Sequence, residues 1–342
     1  MTHHTAQSPS QPSTLNITNG DSTVSVMNEA GIHGEFLPWR DVLHEGPVPH
    51  TSDIDELSRY RARFISDCNW ASENDALLQF QARDARLKNA LSFQKIILWF
   101  EHDLYDQLQL IQLLHWFSSQ TIRPGQLHLI CTDEYLGPST PTRIRELQAL
   151  AKPITTTQLE LGKNAWTAFC SDNPLNWQAL LRQDLSSLPF LSATITRHME
   201  QYPSVDTGLN RTELQILNII DTGIQTPRAL FSAYQQSEEY VFMGDSTFWI
   251  YLSALTRREP ALIQLNNGNA FIFPETPPSP TNHQFRDQQF FISQAGKKTL
   301  SGQLDWISIN GIDKWYGGVH LTPNNRWRWD HSASQLIKQN TP

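Results

Sequence analysis

Ile96-Ile97-Leu98-Trp99-Phe100 is an unbroken apolar run that stops at Glu101-His102-Asp103. A strand with one face in water alternates apolar and polar residues, so a run without alternation is a strand covered on both faces. The first half of the chain repeats the theme. Residues 15–18, 34–37 and 126–132 read as further strands. Residues 53–67 and 73–91, a stretch packing through Leu104, Leu108, Ile111, Leu114 and Phe117, and residues 140–150 carry helical periodicity. Such alternation predicts an α/β domain, a Rossmann-like or flavodoxin-like, mostly parallel sheet flanked by helices.

At 342 residues the chain is long enough for two cores. A polar tail is expected over 1–14, without the charged-then-apolar pattern of a secretory signal, and the sheet domain with a helical extension over 15–205. After a linker near 203–208, helices are expected at 212–220, 227–235 and 246–257, then strands 261–265 and 270–273 joined by Asn266-Asn267-Gly268-Asn269. Three helices and a hairpin predict a winged-helix (α+β) module over 206–275, with 276–342 packing on it.

Composition narrows the setting. No apolar run approaches the ~20 residues of a membrane-spanning helix, so no membrane partner is expected. Cys68, Cys131 and Cys170 lack any paired spacing for zinc or a redox motif and read as reduced thiols in a cytoplasmic protein. A net charge of −8 argues against a general grip on phosphate backbones. Helix 246–257 is also poor in base-reading groups, with Arg257 and Arg258 only at its end. Lys297, Lys298, Lys314, Arg326 and Arg328 beside Trp315, Trp327 and Trp329 form a basic aromatic set that suits packing better than nucleic acid.

Ligands of open α/β sheets bind beyond the carboxyl ends of the strands, and each expected strand here ends in a polar cluster. Asn19-Gly20-Asp21-Ser22 follows the first, Arg40-Asp41 and His44 the second, Glu101-His102-Asp103 the third, and Asp133 with Tyr135 the fourth. The candidate ligand-binding set is Gly20, Asp21, Ser22, Arg40, Asp41 and Asp103. His44, His102 and Glu101 are the candidate acid/base groups, and Arg40 is the candidate anion anchor. The expected ligand is small and polar, nucleotide-like or phosphorylated, bound with or without turnover. A regulator using the winged helix to bind DNA or protein is the alternative.

Each cluster also has a plain structural reading. Gly20-Asp21-Ser22-Thr23 recurs as Gly244-Asp245-Ser246-Thr247 before another helix, which favours capping. Asp103 and Asp106 suit a helix first turn whether or not they do chemistry. Serine hydrolysis at Gly-Asp-Ser lacks its following Leu and an Asp-x-x-His near the C-terminus. A metal would need a third ligand beside Glu101 and His102, such as Asp21, Asp41, His44 or Asp133, and no spacing demands that set. Cofactor and metal stay open.

Ile17-Thr18-Asn19-Gly20-Asp21-Ser22, the run from Leu37 through His44-Glu45-Gly46-Pro47, and Glu101-His102-Asp103-Leu104-Tyr105-Asp106-Gln107-Leu108 together resemble the bacterial domain of unknown function numbered eighteen thirty-five. The segment from Asn310-Gly311-Ile312-Asp313 through Gly317-Gly318-Val319-His320 to Arg326-Trp327-Arg328-Trp329-Asp330 is similar to the C-terminal region of longer members. The resemblance spans nearly the whole chain after the tail. It implies no activity, cofactor or catalytic residue; sigma-factor-like labels on some members agree with a winged helix.

Overall fold

The computed structural model describes residues 13–266, 268, 270–274 and 283–339. In chain order the first half contains β1 (Thr14–Thr18), α1 (Asp21–Glu29), β2 (Glu35–Pro38), β3 (Gly46–Pro47), α2 (Ile54–Asp67) and α3 (Glu73–Lys88). These are followed by β4 (Lys95–Phe100), α4 (Leu104–Ser118), β5 (Leu127–Cys131), α5 (Pro141–Ala149), β6 (Lys152–Pro153) and α6 (Thr156–Phe169). The main sheet has the order β2-β1-β4-β5-β6, with parallel pairing throughout except for antiparallel β6.

β4 lies inside this sheet, as its composition requires. Ile97 and Trp99 pack with Val26 and Met27 of α1 and with Ile144 and Leu147 of α5. Ile96, Leu98 and Phe100 alternate to the opposite side and are equally buried. α4 packs against β4 and is itself buried along most of its length. Each fully buried large apolar side chain stabilises by roughly 1.5–3 kcal/mol, so this strand with α4 is the thermodynamic centre of the sheet. The helices start where side chains satisfy their free N–H groups. Asp53, Ser72, Asp103 and Thr140 each accept a hydrogen bond from the amide three residues on.

The chain divides into two compact units that do not follow the expected boundaries. Unit 1 comprises the described residues up to Leu43, His50–Ala168 and Asp184–Leu191; unit 2 comprises His44–Pro49, Phe169–Gln183 and Ser192 onward. No division between these units falls at 205 and 206. Residues 203–208 are not a free linker, because Ser204 bridges to Trp329 and its hydroxyl meets that of Thr207 at 2.8 Å. Of the expected tail, residues 1–12 lie outside the described residues, and Thr14 already opens β1.

Unit 2 contains α7 (Pro174–Ala179), α8 (Leu191–Met199), α9 (Arg211–Asp221), α10 (Pro227–Ser237) and α11 (Asp245–Arg257). Next come β7 (Ile263–Leu265), β8 (Phe290–Ile292), α12 (Gln294–Leu300), α13 (Trp306–Asn310), β9 (Lys314–Gly317), β10 (Val319–Leu321), β11 (Arg326–Asp330) and β12 (Gln335–Gln339). The three helices expected over 212–257 are α9 to α11. The hairpin is not as expected, since β7 pairs antiparallel with β8, while 270–273 form no strand. Of the expected turn, Asn267 and Asn269 lie outside the described residues. β3 pairs in parallel with β9, Gly46 opposite Tyr316. Trp327 and Trp329 are buried, in line with packing. Among the described residues no helix is long and apolar enough to cross a membrane.

Candidate functional site

β1 and β4 are neighbours, yet the chain continues from β1 to β2 on one side and from β4 to β5 on the other. Their carboxyl ends flank the point where the winding reverses, which is where open α/β sheets leave a crevice. Asn19 follows β1 and Glu101 follows β4.

Asn19 ties the two ends together. Its Nδ2 donates to Glu101 Oε1 at 3.0 Å and to Asp106 Oδ2 at 2.9 Å, and its Oδ1 accepts from Thr23 Oγ1 at 2.8 Å. Glu101, Asp103 and Asp106 are 4%, 3% and 1% exposed, and one carboxylate oxygen from each lies within 4.8 Å of the others. Backbone amides orient them. Asp106 Oδ1 accepts from Glu101 N at 2.7 Å, Asp103 Oδ1 from Asp106 N at 3.1 Å, and Glu101 Oε1 from Leu136 N at 2.8 Å.

No Lys, Arg or His among the described residues forms an ion pair with these carboxylates. Burial therefore dominates their titration. It pushes Glu101 up against the hydrogen bonds from Leu136 and Asn19, and with the charge of Glu101 it pushes Asp103 up to about 8. Asp106 is driven well above the usual carboxylate range by burial and then by Asp103 and Glu101. Such a set either holds protons at neutral pH or shares a cation. An all-oxygen donor set with a carboxamide beside it suits a hard divalent cation.

The remaining candidates separate. Gly20 caps α1 with no side-chain hydrogen bond, so the first-turn amides of that helix form a positive end beside Asn19. Asp21 and Ser22 begin the helix and are exposed. Gly244 caps α11 in the same way, so the repeated Gly-Asp-Ser-Thr is a helix start in both places. Among the described residues Ser22 makes no hydrogen bond to a histidine. Arg40 has a left-handed φ of 53° and reaches Asp21 at 2.5 Å, with the two side chains 51% and 68% exposed. Its amide donates to Asn19 O at 3.1 Å.

His102 is buried against Tyr135 and Phe190, at ring distances of 4.9 and 5.8 Å, and burial lowers its pKa against the pull of the Thr132 backbone and Asp133. It is neutral at pH 7. Two candidates have other partners. Asp41 is fully buried and bound by Arg61 Nε at 2.9 Å and Arg83 Nη1 at 3.7 Å, because it closes the α2–α3 pair onto the loop after β2. His44 lies in unit 2, edge-on to Phe242 at 5.1 Å. Asn19 and Asp106 are the residues that the end-of-strand reading undervalued; the spacing of Glu101, Asp103 and Asp106 across a strand end and helix first turn is the signal that points to the trio. A comparison with protein-family models finds no match, and a comparison with curated proteins finds none either.

Proposed function

We propose that unit 1 is a Rossmann-like domain, flavodoxin-like in strand order, that binds a small phosphorylated ligand together with a hard divalent cation at the carboxyl ends of β1 and β4. The observation that carries this is the buried trio Glu101, Asp103 and Asp106 beside the uncapped start of α1. The two features complement each other. An acidic floor repels a bare phosphate, by about 4 kcal/mol per charge pair at 4 Å in a surface-like medium. With a cation on the floor, the same phosphate meets the amides of α1 and the guanidinium of Arg40. Hydrolysis or group transfer is the enzymatic form of the reading, with neutral His102 or Glu101 accepting the proton. The free thiols of Cys131 and Cys170 agree with a cytoplasmic setting. The family resemblance belongs to the same proposal and adds no activity to it.

A winged-helix reading of unit 2 rests on α9, α10, α11 and β7, and recognition of DNA or protein through it has little support. Phe248, Trp249, Tyr251, Leu252 and Leu255 bury much of α11, Arg257 lies over Phe273 and Arg258 bonds Asn310 O.

Thermal unfolding tests the proposal. Inorganic pyrophosphate with Mg2+ should raise the Tm, by an amount that grows with concentration, whereas pyrophosphate alone should not. Asp106→Asn should abolish the gain and Arg40→Ala should reduce it. A rise that needs no metal and persists in Asp106→Asn sinks the reading.

A further inference from the structure

We propose that a buried clamp of polar side chains on α2, α3 and α4 positions Arg40 as the anion anchor; this rests on the role given to Arg40 above. A residue with a Cβ enters the left-handed region at a cost and stays there only where its surroundings impose it. The neighbours of Arg40 are fastened on every side. Trp39 Nε1 donates to Gln112 Oε1 at 2.6 Å, and Trp39 O accepts from Arg83 Nη1 at 3.3 Å. The Arg83 guanidinium lies 4.1 Å from the centre of the Trp39 ring. On the other side, Asp41 O accepts from Gln109 Nε2 at 3.0 Å, and Val42 O from Arg61 Nη2 at 3.0 Å. The amides of Trp39 and Arg40 themselves bond Thr18 O and Asn19 O at 2.7 and 3.1 Å.

A chain pinned at 39, 41 and 42, and at its own amide, has one conformation left at position 40. That conformation directs the guanidinium to the first turn of α1, where it meets Asp21. The clamp is expensive as mere packing, since Arg61 and Gln109 are fully buried and Gln112 Nε2 has no partner among the described residues. Both carboxamides are turned toward the loop that carries Arg40. Arg61, Arg83, Gln109 and Gln112 are thus positioning residues, which act on the anion through Arg40 without touching it.

Two measurements on the full chain test this. The first uses no ligand and compares Arg40→Gly alone with Arg40→Gly combined with Gln109→Leu. Glycine relieves the left-handed cost only while the clamp enforces that conformation. Arg40→Gly should therefore raise the Tm by roughly 2–4 °C in the otherwise native chain and by clearly less in the Gln109→Leu background, where one of the fastenings is gone. An equal gain in both backgrounds, or none in either, overturns the clamp. The second measurement is the affinity for inorganic pyrophosphate with Mg2+. Arg40→Ala should weaken it about tenfold or more and Gln109→Leu about threefold, although Gln109 is out of the anion's reach. If Arg40→Ala binds as tightly as the native chain, the anchor reading falls while the unfolding comparison still decides the clamp. If Arg40→Ala loses affinity and Gln109→Leu does not, the clamp alone falls.

Discussion

Three carboxyl groups held within a few ångströms, out of water, do not all ionise without a counter-charge. For Asp103 the sign is definite. Its folded pKa, about 8, lies far above that of an exposed aspartate, so the folded state holds a proton that the unfolded chain has released. Stability from this group is complete below pH ~4 and is lost as pH rises through about 8, at up to about 1.4 kcal/mol per pH unit for one proton. Asp103→Asn keeps the cap, because Asn serves that position as well as Asp, and removes the proton. In metal-free protein, urea unfolding between pH 5 and 9 should therefore show a flatter decline for Asp103→Asn than for the native chain; parallel declines would mean that Asp103 is not the group titrating. With Mg2+ present the native decline should shrink, since the cation replaces the proton. Glu101 and Asp103 were legible in the sequence because charges closing an apolar strand stand out. Asn19 and Asp106 were not, since a turn asparagine and a first-turn aspartate look alike whether or not they meet.

The elements that were legible are those whose burial is written in their own residues. β4 and α4 are apolar along their length, and α2, α3 and α5 begin at side chains that serve as caps. The unreadable elements draw their partner from elsewhere. β3 is two residues long and exists because β9 pairs with it, and β7 takes β8 rather than the nearer 270–273. At α9 the local signal is complete: Asn210 accepts from Glu213 N at 2.8 Å while Glu213 Oε2 accepts from Asn210 N at 2.9 Å. Asn210→Ala should cost about 1–2 kcal/mol by denaturant unfolding of the full chain, and Asn210→Ser much less. Equal losses would show that Asn210 matters for something other than its cap.

Across the whole molecule the two units should respond differently to acid. In unit 2, His198 is 2% exposed among Phe169, Trp177, Tyr202 and Tyr316, and among the described residues neither ring nitrogen is hydrogen-bonded. Burial, helped by Arg197, depresses its pKa to about 3. A depressed histidine supports the fold above its unfolded pKa of ~6.5 and withdraws that support as pH falls toward its folded value. Glu238 is pushed up by burial but held low on balance by Arg197, and acts in the same sense; Glu213, raised by burial, runs the other way. Asp103 and Asp106 in unit 1 instead favour acid, opposed in part by His102, His115 and His128, whose pKa values burial lowers. Calorimetry from pH 7 to 4 should show the transition of unit 2 falling faster than that of unit 1, and His198→Phe should flatten the fall by about one proton's worth. If both transitions move together, the imidazole is not what makes unit 2 acid-labile.

The pairing of β3 with β9 also sets an order of events during synthesis. Gly46 and Pro47 leave the ribosome early, but Tyr316 and Gly317, their partners, emerge only some ~270 residues later, on the order of tens of seconds at ordinary translation speeds. The sheet strands on either side of His44–Pro49 are complete long before then. For that interval the nascent chain carries a segment whose pairing strand has not yet been made, exposed to neighbours on the polysome and to chaperones, until β9 emerges to claim it.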